Sequence, residues 1–175
     1  MSATILIVDD DPVQRRLLEA LVRRFGYAVE TADGGDAALT RLMAKGVPSV
    51  DLLILDLVMP DLDGMGVLTR LRESERKIPT IVQTAHGSIE AVISAMRAGA
   101  VDFVVKPAGA ERLQVSIKNA LRVDTLEEEV RRMRRRASGA LTFKDLASRS
   151  SDMEDRKSTR LNSSHSGESR MPSSA

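Results

Sequence analysis

Apolar residues arrive along this chain in short unbroken runs, each ending at a polar or acidic residue and followed by a stretch of helical periodicity. The runs occupy residues 4–8, 27–32, 51–55, 79–83 and 102–105. They are largely apolar without alternation, the pattern of strands covered by helices on both faces. Between the first two, residues 12–25 place Val13, Leu17, Leu21 and Phe25 on one stripe. Asp11 stands as a capping residue before Pro12 at the first helical position, and Gly26 follows the end. Further helices are expected over 35–45, 65–74, 88–98 and 110–121, with Gly46 and Gly99 where helix-terminating glycines belong. Strand alternating with helix predicts an α/β fold built on a doubly wound parallel sheet.

The last helix need not stop at 121. Val123, Leu126, Val130 and Met133 continue at spacings of three, four and three, the seam of a short coiled coil. Glu127–Glu129 and Arg131–Arg136 flank that seam, and Glu128 with Arg132, four apart, supports the helix slightly. Two readings stay open, a solvated helical linker and a dimerisation helix spanning 110–136. The domain expectation is therefore a globular unit over 1–121 and a helical linker over 122–136. The segment 137–154 opens something further, with Leu141, Phe143 and Leu146 as its apolar positions. Residues 155–175 hold seven serines and almost nothing apolar, so they are expected to be disordered. The run from Asp155 to His165 also resembles the translation of a sequencing adapter, so a non-native tail is expected beyond Glu154.

Charge refines this division. The chain carries a net +1, yet residues 1–121 hold 14 basic and 16 acidic side chains, and residues 122–136 hold 6 and 4. The positive balance thus arises outside the globular part. The Arg-rich run reads first as a charged linker face and only second as a nucleic-acid contact. With no cysteine, zinc-thiolate sites, thiol catalysis and disulfide scaffolds are excluded. Aromatics at 2% argue against a base-stacking surface. No apolar run approaches the about 20 residues a membrane helix needs. Met1–Thr4 lacks the basic flank of a signal peptide, so a cytoplasmic location is expected.

The candidate chemistry lies where the apolar runs stop. Asp9 and Asp10 follow the first, Asp56 the third, Thr84 the fourth, and Lys106-Pro107 the fifth, which also contains Phe103. If the runs are parallel strands, these ends share one crevice at the carboxyl edge, where open α/β sheets bind ligands. Clustered carboxylates need neutralising, by a raised pKa or a bound cation. Oxygen-only ligands select a hard ion, and two or three carboxylates fit Mg²⁺. Such a metal beside a lysine suits in-line phosphoryl transfer. Asp56 can then serve as both ligand and nucleophile, since carboxylates form acyl phosphates. Each residue has a plainer role as well. Asp11 is a helix cap rather than a ligand, Asp61 and Asp63 are turn residues, and His86 is a loop histidine. Lys106 could be solvated and Thr84 a mere strand residue; their shared edge tips the balance.

With ILIVDDDP, LLILDLVMPDLDG, QTAHG and DFVVKP in place, residues 4–121 resemble the receiver domain of bacterial two-component response regulators. The resemblance implies a flavodoxin-like five-stranded parallel sheet in order 2-1-3-4-5 with five helices. It implies Asp56 as phosphoacceptor from a sensor histidine kinase, and Mg²⁺ held by Asp9, Asp10, Asp56 and the backbone carbonyl of Val58. Lys106 would pair with phosphoryl oxygens, Pro107 would shape its loop through a cis peptide, and Thr84 and Phe103 would form the switch. QTAHGSIEAVISAMRAGAVDFVVKP is similar to receivers of NtrC-type regulators. Residues 141–153 resemble the opening of their AAA+ ATPase domain for sigma-54 promoters. That likeness implies a truncated transcription regulator, touching DNA only through a C-terminal domain absent from this chain. Ala108 departs from the family, which often carries Phe there, and Gln83 is polar where the strand end is often apolar. Strand alternation points Gln83 away from Thr84.

Two rivals belong to other classes. A haloacid-dehalogenase-like phosphatase would use Asp9 as nucleophile and Asp11 as general acid, but it leaves Asp56 without a task and lacks the acidic pair expected after the lysine. A pseudo-receiver interaction module would never turn over phosphate, and it would not need the whole site.

Overall fold

The computed structural model describes residues 2–85 and 88–138. Five strands, β1 (Thr4–Val8), β2 (Ala28–Ala32), β3 (Leu52–Asp56), β4 (Thr80–Thr84) and β5 (Asp102–Val105), form one sheet in the order β2-β1-β3-β4-β5. Every pairing is parallel. Helices α1 (Pro12–Arg24), α2 (Gly35–Met43), α3 (Gly64–Glu73) and α4 (Ile89–Arg97) connect them. A fifth, α5, starts at 110, and the described residues stay helical to 138.

Two apolar layers sandwich the sheet, and residue alternation sorts the strands between them. Leu6, Val8, Leu53, Leu55 and Val82 face one layer with Leu39 and Leu42 of α2 and Val67 and Leu71 of α3. Ile5, Ile7, Leu52, Ile54, Ile81 and Val104 face the other with Leu18 and Val22 of α1 and Leu113 and Ile117 of α5. A strand covered on both faces needs no polar positions, which is why the runs read as continuously apolar.

Three expectations shift. β3 and β4 each end one residue later than their apolar runs, so Asp56 and Thr84 are the last strand residues, paired in register with Gln83 and Val105. The carboxylate is thereby fixed by ladder hydrogen bonds instead of hanging from a loop. On α1 the buried arc is Leu18 and Val22, with Leu21 and Phe25 partly covered, while Val13 and Leu17 stand 66% and 68% exposed. Apolar residues flank this arc on both sides, so the stripe chosen from spacing was rotated from the true one. Gly46 does not terminate α2, which ends at Met43 with Ala44 extended; it adopts φ 77 in the following loop.

Elsewhere the punctuation holds. Asp11 caps α1, accepting hydrogen bonds from Val13 N and Gln14 N, with Pro12 opening the helix. Gly26 and Gly99 follow α1 and α4 at φ 96 and 115, left-handed values that favour glycine.

The chain divides into two compact units, the first ending at Leu126 and the second beginning at Glu127. In the first, Val123 and Leu126 are each about half exposed. In the second, Val130 is 46% and Met133 67% exposed, and Arg131 pairs with Glu127 at 3.7 Å one turn earlier. The output-domain opening expected at 141–153, the tail 155–175 and His86 lie outside the described residues. No helix among those described is long and apolar enough to cross a membrane.

Candidate functional site

The carboxyl ends of β3, β4 and β5 are laced together by backbone hydrogen bonds that continue the sheet beyond its last pairs, with β1 paired alongside β3. Leu57 N donates to Gln83 O at 3.0 Å and Lys106 N to Thr84 O at 2.8 Å. This brings residues from distant parts of the chain into one crevice. One carboxylate oxygen each from Asp9, Asp10 and Asp56 lies within 4.8 Å of the others. Asp9 and Asp56 are buried, whereas Asp10 is exposed at the rim.

Each buried carboxylate is held at both ends. Asp9 Oδ1 accepts Asp11 N–H at 2.9 Å, and its Oδ2 accepts Lys106 Nζ at 2.8 Å. Asp56 Oδ1 accepts Val58 N–H at 3.2 Å, and its Oδ2 accepts the same Nζ at 2.9 Å. One ammonium thus bridges two buried anions, from a side chain only 11% exposed. Burial pushes the Asp56 carboxyl above the usual range, and the Lys106 hydrogen bond and the Val58 N–H recover only part of that cost. Lys106 is pulled the other way: burial lowers its pKa, but the hydrogen bonds it donates to Asp9 and Asp56 outweigh that and leave the ammonium above its ordinary value. The lysine is therefore charged at neutral pH.

The expected switch residues lie on β4 and β5, at or near their carboxyl ends. Thr84 is buried at the end of β4, and Phe103 sits half-buried in β5 against the α2–α3 layer. The Lys106-Pro107 peptide is cis, as the resemblance implied. Val58 contributes its N–H, and its side chain is 73% exposed beside the crevice.

The glycine closing LDLVMPDLDG has a steric reason. A Cβ on Gly64 would lie 2.5 Å from Asp56 O and 2.8 Å from Leu57 Cα, so only glycine lets α3 start against the Asp56 segment. Asp63 caps that helix through Gly66 N at 2.8 Å, and Asp61 adopts φ 64 in the turn, so both keep the structural roles expected of them.

Two contributors escaped the sequence reading. Arg15 Nη1 donates to Asp9 O at 2.7 Å, tying α1 to the acidic loop. Its place one turn into a helix capped by Asp11 was the available signal. The second is a lock on β5: Ser116 Oγ, fully buried, donates to Asp102 Oδ2 at 2.7 Å, and Arg112 Nη2 donates to Asp102 Oδ1 and Phe103 O, each at 3.0 Å. A serine and an arginine four apart on one helix gave no hint of a shared strand partner.

A donor set of carboxylate oxygens, with neither thiolate nor imidazole, fits a hard divalent cation. Relatives fit the same picture. Residues 5–118 match the family described as the response regulator receiver domain. The chain is 32% identical over 151 residues to the regulatory protein AtoC of Escherichia coli K12, covering 86% of this chain and 32% of that protein. It is 37% identical over 117 residues to the transcriptional regulatory protein ZraR of Salmonella typhimurium, covering 67% and 26%. The chain thus spans about a third or less of these regulators' length. Among solved structures, NtrX from Brucella abortus aligns with a TM-score of 0.70 at 32% identity, covering 76% of this chain and 30% of that one. A receiver domain protein from Clostridium thermocellum aligns at 0.65 and 31%, covering 71% and 98%. Sheet order, acidic crevice and these matches agree: the chain belongs to the response regulator receiver family.

Proposed function

We propose that Asp56 accepts a phosphoryl group from the phosphohistidine of a sensor histidine kinase, and that the modified chain switches an output domain. The observation that carries this reading is the single Lys106 ammonium held between Asp9 and Asp56, at 2.8 and 2.9 Å, with the Asp10 carboxylate beside them. A carboxylate oxygen of Asp56 attacks phosphorus, and the P–N bond to the donor imidazole breaks. Asp9, Asp10, Asp56 and the Val58 carbonyl would hold Mg²⁺. When bound, the ion neutralises charge on the transferring phosphoryl oxygens.

Lys106 then pairs with a phosphoryl oxygen, exchanging its Asp56 partner for the new group. The phosphoryl adds about −1.5 to −2 charge. Thr84 turns its hydroxyl toward that charge, and Phe103 moves further inward as the loop closes. Pro107 shapes the loop that carries the lysine. The two loop arrangements differ in how they satisfy the phosphoryl oxygens, so phosphorylation shifts their populations. Self-association through 110–136 relays the change, and control of transcription passes through an output domain opening at 137–154. On this reading the chain is a phosphorylated signalling module of the cytoplasm and not an enzyme.

The phosphatase alternative is disfavoured by Asp11, whose carboxylate is spent capping α1 and is not aimed as a general acid. Treating the chain with acetyl phosphate and Mg²⁺ should add one phosphoryl group, mapped to Asp56 by tandem mass spectrometry and lost in Asp56→Asn. Label that survives Asp56→Asn but disappears in Asp9→Asn would favour the phosphatase. No label at all would favour the pseudo-receiver module.

A further inference from the structure

Of the three carboxylates in the crevice, the exposed one owes its place to the backbone around it. Asp10 has no hydrogen-bond or ion-pair partner among the described residues, yet one of its oxygens lies within 4.8 Å of those of Asp9 and Asp56. The chain before it is fixed at four points. Asp9 N–H donates to Ala32 O at 3.2 Å, Oδ1 accepts Asp11 N–H, Oδ2 accepts Lys106 Nζ, and the carbonyl oxygen accepts Arg15 Nη1 at 2.7 Å. β1 has ended by then, and no backbone N–H of the described residues donates to Asp9 O. Arg15 also reaches the far side of Asp10, since its own N–H donates to Asp11 O at 2.9 Å. One residue of α1 thus grips the chain both before and after the exposed carboxylate.

We propose that Arg15 is a positioning residue for the divalent cation: its guanidinium, bound to the oxygen of the Asp9-Asp10 peptide, holds the Asp10 carboxylate in reach of the other two. The proposal rests on the reading of Asp9, Asp10 and Asp56 as Mg²⁺ ligands. A peptide unit is planar, so holding its oxygen fixes the plane from Asp9 Cα to Asp10 Cα. Less freedom of the acidic loop then remains to be lost on binding. The guanidinium contacts a carbonyl and not a carboxylate, so it orients backbone instead of neutralising an acid. Its charge works against the site, because a positive group beside the crevice repels a cation. Geometry and charge therefore give opposite signs when Arg15 is removed. Geometry should win, since partners behind metal ligands typically contribute about 10–100-fold in affinity.

The test is calorimetric titration of the full chain with Mg²⁺ alone, with no phosphoryl donor present. Arg15→Met keeps the apolar stem and the helix propensity but removes every side-chain donor, and it should raise the Kd for Mg²⁺ about tenfold. Arg15→Gln serves where methionine disturbs folding. Arg15→Lys retains a charged donor and should return the Kd to within about threefold of the parent. Arg16→Met, at the exposed next position, removes the same charge and should bind Mg²⁺ at least as tightly as the parent. In labelling with acetyl phosphate, the Mg²⁺ concentration giving half the maximal rate should rise about tenfold in Arg15→Met, with the rate at saturating Mg²⁺ within about twofold of the parent. A merely structural role would lower that saturating rate. The proposal is overturned if Arg15→Met binds Mg²⁺ as tightly as the parent or more tightly, if Arg15→Lys is no better than Arg15→Met, or if the saturating rate falls while affinity holds. A parent chain that does not bind Mg²⁺ would instead strike the ligand reading itself, and the role of Arg15 with it.

Discussion

Asp56 is placed where its charge is a burden to the fold before it is a tool. Its carboxyl is raised, chiefly by burial, so the folded chain holds that proton more tightly than the unfolded chain does. A raised carboxyl supports the fold only below the ordinary carboxylate range, near pH 4, and that support is lost as pH climbs through the folded value. Asparagine cannot ionise. In metal-free buffer, Asp56→Asn should therefore gain stability on the parent between about pH 4 and pH 7, by on the order of 1 kcal/mol. Urea denaturation with a chelator at both ends of that window checks it; a difference that stays constant or reverses would contradict the burial argument. The residues forming this crevice were legible because each is polar at the end of an apolar run. Asp11 was legible as a cap for the same reason that it is excluded as a ligand, since it precedes a proline that opens a helix. Gln83 was harder. Alternation gave its face, but that its Nε2 stays buried without a partner among the described residues follows from packing that no local pattern shows.

At the scale of elements, helices were easier to place than to orient. The apolar positions of α1 fit two overlapping arcs, and only packing against Ile5, Ile7 and Val104 selects Leu18 and Val22 over Val13 and Leu17. Strand ends slipped by one residue because a ladder continues through a polar residue once its neighbours pair, as Asp56 does with Gln83. The junction of β5 with α5 was invisible to periodicity and rests on Asp102, which accepts from Ser116 and Arg112. Ser116→Ala would leave Asp102 Oδ2 without its buried donor and should cost about 1–2 kcal/mol. Arg112 is about half exposed, so its pairing with Asp102 contributes less, and Arg112→Ala should cost under about 1 kcal/mol. Denaturant midpoints of the two variants test that order; a larger loss from Arg112 would place the weight of the junction on the guanidinium instead.

For the molecule as a whole, the sheet order 2-1-3-4-5 puts the reactive edge at one end and leads through β5 into α5. The seam residues Val123, Leu126, Val130 and Met133 are exposed within their own units, which leaves apolar positions for a second copy. If α5 pairs, Val130→Asp should lower self-association at least tenfold in sedimentation equilibrium, since a carboxylate at a seam position must be desolvated. Association should also change when acetyl phosphate and Mg²⁺ are added. Identical association in the parent and in Val130→Asp would reduce the seam to a solvated linker.

Lys106 meets Asp9 across 97 positions of chain and Asp56 across 50. During synthesis the anions are made first, and the cation that reconciles them emerges only after all five strands. An incomplete polypeptide would hold an acidic nest with no ammonium to quiet it. Competence to receive a signal therefore certifies that the domain has been finished, and a fragment ending short of residue 106 should be deaf however well its earlier strands assemble.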